Sequence, residues 1–308
     1  MFQDHSIHSN ATIEPVKWGD FATRLPRALV WILGWLMIVY SNDAFADEWR
    51  CGTEINGMVP TDQAATEPAI YTSLSVEAVD AFTSVDLPDL KLKLPDVTFV
   101  PEIEAEALRW LTSAGADQVS VKLLANRPDF LGRTIAGITE GRQGEQAVDA
   151  DWQQQLLIAG LAMLLPDGSR NLSALVQAED QAMNAKIGMW ADQNSSTSYH
   201  VSAHHSSAQN ALPSATDAIG RFVVVDGVIQ SIEHQEWRSY LNFGRDWRRD
   251  FTIALGKELR ESLFGAQDFQ SGLGGLVGGK TRVRGVIENR GGPYIDLHNL
   301  AWFCVMSD

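Results

Sequence analysis

The spacing of apolar and polar residues divides the chain into two strand-rich stretches, with helices after the first. From Val76 to Val85 and from Leu90 to Leu94, β-forming residues alternate with polar ones, and Pro88-Asp89 supplies a turn, so a hairpin is predicted. Glu102 to Ala114 places Ile103, Ala107, Trp110 and Leu111 on one face, with Glu104 and Glu106 near the start, the pattern of an amphipathic helix. Val119 to Leu124 and Thr134 to Thr139 read as two more strands, and Trp152 to Leu164 and Leu172 to Ile187 as helices. A Ser-, Ala- and Asn-rich stretch, residues 193–216, has no periodicity and reads as a flexible linker. Five further β-rich runs follow: residues 221–232, Trp237 to Phe243, Phe251 to Leu255, Thr281 to Ile287 and Tyr294 to Val305. A short helix, Gly256 to Phe264, and a glycine-rich loop, Gly272 to Gly279, sit between the third and fourth of these runs.

Ahead of these elements, Lys17, Arg24 and Arg27 precede a 13-residue apolar run, Ala28 to Tyr40, and Ala44-Phe45-Ala46 supplies a small-x-small pattern. This predicts an export signal over residues 1–46 and a periplasmic or secreted mature chain, with an uncleaved membrane anchor as the alternative. Residues 47–75 show no period and read as an irregular arm. Outside the cytoplasm disulfides persist. The two cysteines, Cys51 and Cys304, stand near opposite ends of the mature chain. Either they bridge, or one is a buried thiol in the last strand and the other is loose.

The formal charge of −15 is unevenly spread. Residues 47–216 hold 10 basic against 23 acidic side chains, whereas residues 217–308 hold 11 against 12. This argues against a protein whose whole surface grips phosphates.

Asp129-Phe130-Leu131-Gly132-Arg133-Thr134-Ile135-Ala136 resembles the Asp-x-Tyr-Gly-Arg-x-x-Ala signature of staphylococcal nuclease-like (thermonuclease) domains. Leu156 to Ala162 resembles that family's Leu-x-x-x-Gly-Leu-Ala helix. Glu179 to Ala182, followed by Ile187-Gly188-Met189-Trp190, resembles its Glu-x-x-Ala helix ending in Gly-Leu-Trp. Over residues 76–192 the resemblance implies a five-stranded OB barrel with helices packed on it. The expected fold class is therefore mainly β with α, a nuclease-type OB barrel followed by a second OB-like five-stranded barrel over residues 217–308.

In that family, acidic residues hold a Ca²⁺ ion, a Glu handles the attacking water and two Arg residues offset charge on the phosphate. Carried over by position, the resemblance implies Arg133, Lys93 and Glu102 as catalytic candidates, Glu102 only with a one-residue shift. Phe82 and Thr98 stand where that family places its two metal carboxylates, leaving Asp80 and Asp96 as substitute ligands. A lobe so acidic, with those ligands missing, is expected to have lost phosphodiester cleavage and to need no cofactor. A Ca²⁺-dependent phosphodiesterase with substituted ligands is the alternative.

In the second lobe Arg238, Tyr240, Arg245, Trp247, Arg248 and Arg249 form the densest basic and aromatic cluster of the chain. Aromatic side chains beside cations are what a single-strand-binding barrel uses. The expected function is binding of single-stranded nucleic acid or another anionic polymer, against a purely structural role in the cell envelope.

Overall fold

The computed structural model describes residues 50–52, 69–140, 151–167, 172–191, 197–204, 206, 211–246 and 248–306, all within one compact unit. The expected leader and Trp247 lie outside the described residues. The molecule is mainly β with helices, and its sheets curl.

The first sheet contains β1 (Ile70–Thr72), β2 (Leu74–Ala78), β3 (Ala81–Ser84), β4 (Lys91–Lys93), β6 (Val119–Leu123) and β7 (Arg133–Glu140), in the order β1-β6-β7-β4-β3-β2. A two-stranded pair, β5 (Val97–Thr98) with β8 (Met163–Leu164), lies beside it. β1 and β2 are separated only by Ser73 yet stand at opposite edges, so the sheet must curl until its edges meet there. β4 and β7 are parallel and all other pairs of this sheet are antiparallel. A parallel pair needs a long crossover, and α1 (Glu104–Ala116) lies within it. Phe82, Leu92, Ala136 and Ile138 alternate inward and pack with Ala107 and Leu111 of α1.

Two helices follow, α2 (Trp152–Ile158) and α3 (Leu172–Ala185). The predicted helix to Leu164 stops early because Gly160 takes a left-handed conformation, after which Met163 and Leu164 run as β8. The backbones of Gly160 and Gly188 cross here: Met189 N–H donates to the Gly160 carbonyl at 3.0 Å, and a Cβ on either glycine would meet the other segment's backbone at 2.2–2.4 Å. That close approach explains a glycine in both helix motifs.

The second half repeats the connectivity of the first. Its strands are β9 (His200–Ser202), β10 (Phe222–Val228), β11 (Ser231–His234), β12 (Arg238–Asn242), β13 (Thr252–Gly256), β14 (Lys280–Val286), β15 (Glu288–Asn289), β16 (Pro293–Leu297) and β17 (Phe303–Val305). They form sheets in the orders β11-β12-β13-β16-β15 and β17-β14-β10-β9. β10 runs on into β11 and β14 into β15, so the two sheets share their corners. Counting each such pair as one strand gives first-second-third-fifth-fourth-first, with the third and fifth parallel, as in the first half. The crossover helix, α4 (Lys257–Gly274), again falls between third and fourth; it breaks at Gly265 and reaches into the glycine-rich stretch read as a loop.

Residues 193–216, read from the sequence as a linker, are built in where they are described. His200–Ser202 pairs in parallel with β10, and Val201 and Ala203 join the core. That core also takes Met163, Ala182, Met183 and Trp190 from the helical region, while Leu175, Val176 and Ala178 of the same α3 pack into the first core. α3 is thus shared.

Its acidic residues meet the outer face of β14. Glu179, fully buried, pairs with Arg284, whose Nε donates to the Leu164 carbonyl at 2.8 Å; Leu164 N–H donates back to Glu179 at 2.8 Å. Arg282 pairs with Asp180 and, at 2.8 Å, with Asp226, which also lies 2.8 Å from His200 of β9. Burial alone would raise the Asp226 pKa, but bonds from Arg282 and His200 hold it far below the carboxylate range. Cys51 and Cys304 form a disulfide with Cα atoms 4.8 Å apart, and Cys51 N–H donates to the Val305 carbonyl at 2.9 Å.

Candidate functional site

Because the two halves share a connectivity, each presents an equivalent outer face on its second, third and fifth strands. In the first half this is β3-β4-β7. Thr83, Lys91 and Arg133 stand in one register row, with Lys93 beside Ile135 one step along. The residue next to Arg133 is therefore Lys91, not the Lys93 reached by counting.

Arg133 is clasped from two sides. Its Nε and Nη2 donate to Asp129 at 3.0 and 2.8 Å, and its Nη1 donates to both the carboxylate and the carbonyl of Asp80. Asp129 also accepts from the backbone N–H of Leu131 and Arg133, which fixes the Phe130-Leu131 turn. Desolvation alone would raise the Asp129 pKa, but the bonds from Arg133 and Leu131 lower it to about 2.

The remaining candidates lie elsewhere. Glu102, in the turn before α1, accepts from the Tyr199 hydroxyl, and burial together with that carboxylate pushes the Tyr199 pKa up. Asp96 is buried in a left-handed conformation and accepts from Asp167 N–H at 2.9 Å. The structure thus gathers Asp80, Lys93 and Arg133 on one face and leaves Glu102 and Asp96 outside that arrangement.

Ca²⁺ requires six to eight oxygen ligands. Phe82 instead lies in the core, edge-on to Trp152 at 6.0 Å, and Thr98 pairs with Met163 in the β5–β8 ladder. Asp80 is engaged by Arg133. Among the described residues no group of three or more His, Cys, Asp or Glu side chains is placed to hold a metal. The residues at this face do not fit the ion.

In the second half the equivalent face, β12-β13-β16, carries a cavity of about 580 Å³. Alternation explains it. Leu241, Ile253, Leu255, Ile295 and Leu297 point into the core, so Arg238, Tyr240 and Asn242 of β12 and Tyr294 and Asp296 of β16 point out. Between them β13 offers only Thr252, Ala254 and Gly256. In register, Tyr240, Ala254 and Asp296 form one row, and Asn242, Thr252 and Tyr294 the next. Large side chains flank a small-residue floor, and a groove results.

The groove's cations are balanced. Arg238 lies 3.0 Å from Asp296 and donates to the Tyr294 hydroxyl at 2.8 Å. Arg290 lies 2.7 Å from Glu288 and 5.0 Å over the Tyr294 ring. Burial would lower the Arg238 pKa, but Tyr294 and Asp296 outweigh it. Glu233 stands exposed on the rim and accepts from Gln235 at 3.1 Å.

Arg245, Arg248 and Arg249 project from the turn that follows Asn242, at one end of the groove, and all three are exposed. The acids of that turn serve its own backbone: Asp250 accepts from Asp246 N–H at 2.9 Å and Asp246 from Arg248 N–H at 3.1 Å. Of the six residues expected at this site, Arg238 and Tyr240 line the groove, three arginines flank it and Trp247 lies outside the described residues. Sequence reading missed Tyr294 and Arg290. The alternation of residues 293–297 carried a signal for Tyr294, but only the parallel pairing of β13 with β16 brings it beside β12.

No family model matches the chain, and no curated protein matches it.

Proposed function

We propose that this is an exported, non-hydrolytic binding protein. Its first half is a nuclease-like OB barrel serving as scaffold, and its second half is an OB-type barrel that binds an anionic polymer. The repeated first-second-third-fifth-fourth order with a helix before the fourth strand supports the OB reading of both halves. Loss of cleavage is supported by the clasp on Arg133, since a guanidinium already bound to two carboxylates has little left for a phosphate. A phosphodiesterase would have to free Asp80 from that clasp and find ligands at positions held by Phe82 and Thr98.

One observation carries the binding reading: the groove on β12-β13-β16 opens toward a turn bearing three exposed arginines. Retention of the protein on a heparin resin at low salt tests it. The Arg248→Ala/Arg249→Ala variant should elute at clearly lower salt, because each lost phosphate- or sulfate-type contact lowers the salt slope by about one. Passage of the unaltered protein through the resin, or release of short oligonucleotides from single-stranded DNA in millimolar Ca²⁺, would refute the proposal.

A further inference from the structure

We infer that the end of the first barrel bearing the Phe130-Leu131 turn docks on an anionic lipid bilayer, its apolar tip entering the headgroup layer and its cations meeting lipid phosphates. This goes beyond the binding reading above and does not rest on it.

Apolar exposure is concentrated at that end. Among the described residues eleven large apolar side chains are exposed, and five of them, Val85, Leu87, Leu124, Phe130 and Leu131, lie on the β3–β4 and β6–β7 loops. Those loops share one end of the barrel: β4 and β7 run parallel with Lys91 opposite Arg133, and Leu124 N–H donates to the Ile135 carbonyl at 2.8 Å. Phe130 is 93 % exposed, more than any other of the eleven, which places it at an apex and not in a groove. A projecting apolar side chain is covered fully only by a medium that closes around it, as the acyl boundary of a bilayer does.

The backbone of the tip suits a poorly hydrated layer. Asp129 accepts from Leu131 N–H and Arg133 N–H, each at 2.9 Å. Gly132 N–H donates to the Asp129 carbonyl at 2.9 Å, Asp129 N–H donates to the Arg133 carbonyl at 2.8 Å, and Pro128 has no N–H to satisfy. Donors already engaged within the turn lose little on leaving water, whereas unpaired ones would oppose entry.

Charge selects the kind of surface. Residues 85–93 and 122–133 hold five of the ten Lys and Arg of residues 47–216, Lys91, Lys93, Lys122, Arg127 and Arg133, but three of its 23 acids, Asp86, Asp89 and Asp129. With Asp80 counted as well, because it reaches in to Arg133, this end keeps a balance of +1. The remainder sets five cations against nineteen acids. An anionic surface therefore repels the rest of this stretch and attracts this end, which turns the tip toward the bilayer. Lys91, Lys122 and Arg127 are exposed, and their long stems let the charged heads stay at the phosphates while the tip enters. A second copy of the chain would bring another convex end of the same sign.

The test is co-sedimentation with vesicles of pure phosphatidylcholine and of an equal mixture of phosphatidylcholine and phosphatidylglycerol. It uses the chain from Asp47 onward, which holds every described residue and lacks the apolar run Ala28 to Tyr40 that would itself enter lipid. The protein should sediment with the mixed vesicles, less with pure phosphatidylcholine, and less as salt rises. Phe130→Ser, at an exposed position, should lower vesicle affinity by about tenfold and Arg127→Glu by a smaller factor, whereas Val277→Ser, exposed on the second half, should leave it unchanged. No sedimentation with the mixed vesicles would overturn the inference. Sedimentation indifferent to both Phe130→Ser and Leu131→Ser would also overturn it, by placing lipid contact elsewhere on the molecule. Self-association in analytical ultracentrifugation that Phe130→Ser abolishes, without vesicle binding, would replace the bilayer with a second copy. Retention on heparin through the second half stands or falls separately.

Discussion

The two halves offer the same three strands in the same order, yet one face is closed and the other hollow. On the third strand the first half places Lys91 and Lys93, and beside them a fifth-strand arginine held by two carboxylates. At the corresponding strand the second half places Thr252, Ala254 and Gly256. Backbone topology is therefore indifferent to whether a groove forms. Side-chain volume on one short strand decides it: Lys91 and Lys93 occupy the third strand of the first half, whereas Thr252, Ala254 and Gly256 leave space in the second. The comparison also shows where the halves stop being separate: α3 supplies apolar residues to both cores and acids to β14.

The sharpest way to break this picture is to remove the shared element's buried acid. Glu179→Ala would leave Arg284 as an uncompensated buried charge and deprive Leu164 N–H of its acceptor. A loss of about 4 kcal/mol is expected. Because α3 belongs to both halves, urea unfolding monitored by tryptophan fluorescence and by far-ultraviolet dichroism should still give coincident transitions, shifted together. Two separated transitions would mean that the halves are independent and that the junction is a mere contact.

A second, smaller effect comes from the disulfide, which links residues 253 apart and ties β17 of the second half to the chain leading into the first. Closing so long a loop restricts the unfolded chain strongly, and replacing both cysteines with serine should cost about 3 kcal/mol. If the thermal midpoint of the Cys51→Ser/Cys304→Ser protein matches that of the unaltered one, the bridge contributes nothing to holding the two halves as one body.

Local features were legible in the sequence to the extent that neighbours along the chain cause them. The turn before Arg133 needs only Asp129 and Gly132, and the motif containing them marked it. The hairpin expected between residues 76–85 and 90–94 instead turns once more at Val79-Asp80, because strand formers continue through a bend that alternation cannot reveal. The helix through Leu164 was over-extended for a similar reason: apolar spacing persists past Gly160, whereas the backbone is diverted by a segment almost thirty residues later.

Long-range pairings were invisible. Asp80 reaches Arg133 from 53 residues away, so the catalytic candidate sits in an ion pair that no local pattern announces. Glu179 was recognised as part of a helix motif, but its partner on β14 lies 105 residues on. His200, inside the stretch read as a linker, is strand-borne and bonded to Asp226. In each case the deciding contact crosses between elements whose relative placement no local pattern encodes.

The finest test isolates the first half's clasp through acid. A carboxyl whose folded pKa is lowered stabilises the fold fully above its unfolded value, near 3.9, and loses that contribution as pH falls toward the folded value. For Asp129 the window runs from about pH 4 down to about 2. Asp226, at the junction, is lowered in the same direction and adds to the same acid slope. Asp129→Asn keeps an oxygen to accept from Leu131 N–H while removing the charge facing Arg133. The variant should be less stable at pH 7 by about 1 kcal/mol, a partly screened pair being worth no more, and should show a shallower decline between pH 4 and 2. The same decline in both proteins, followed as thermal midpoint against pH, would assign acid sensitivity to the junction alone. The clasp on Arg133 would then be a contact without energetic consequence, and the closed face of the first half would need another explanation than its carboxylates.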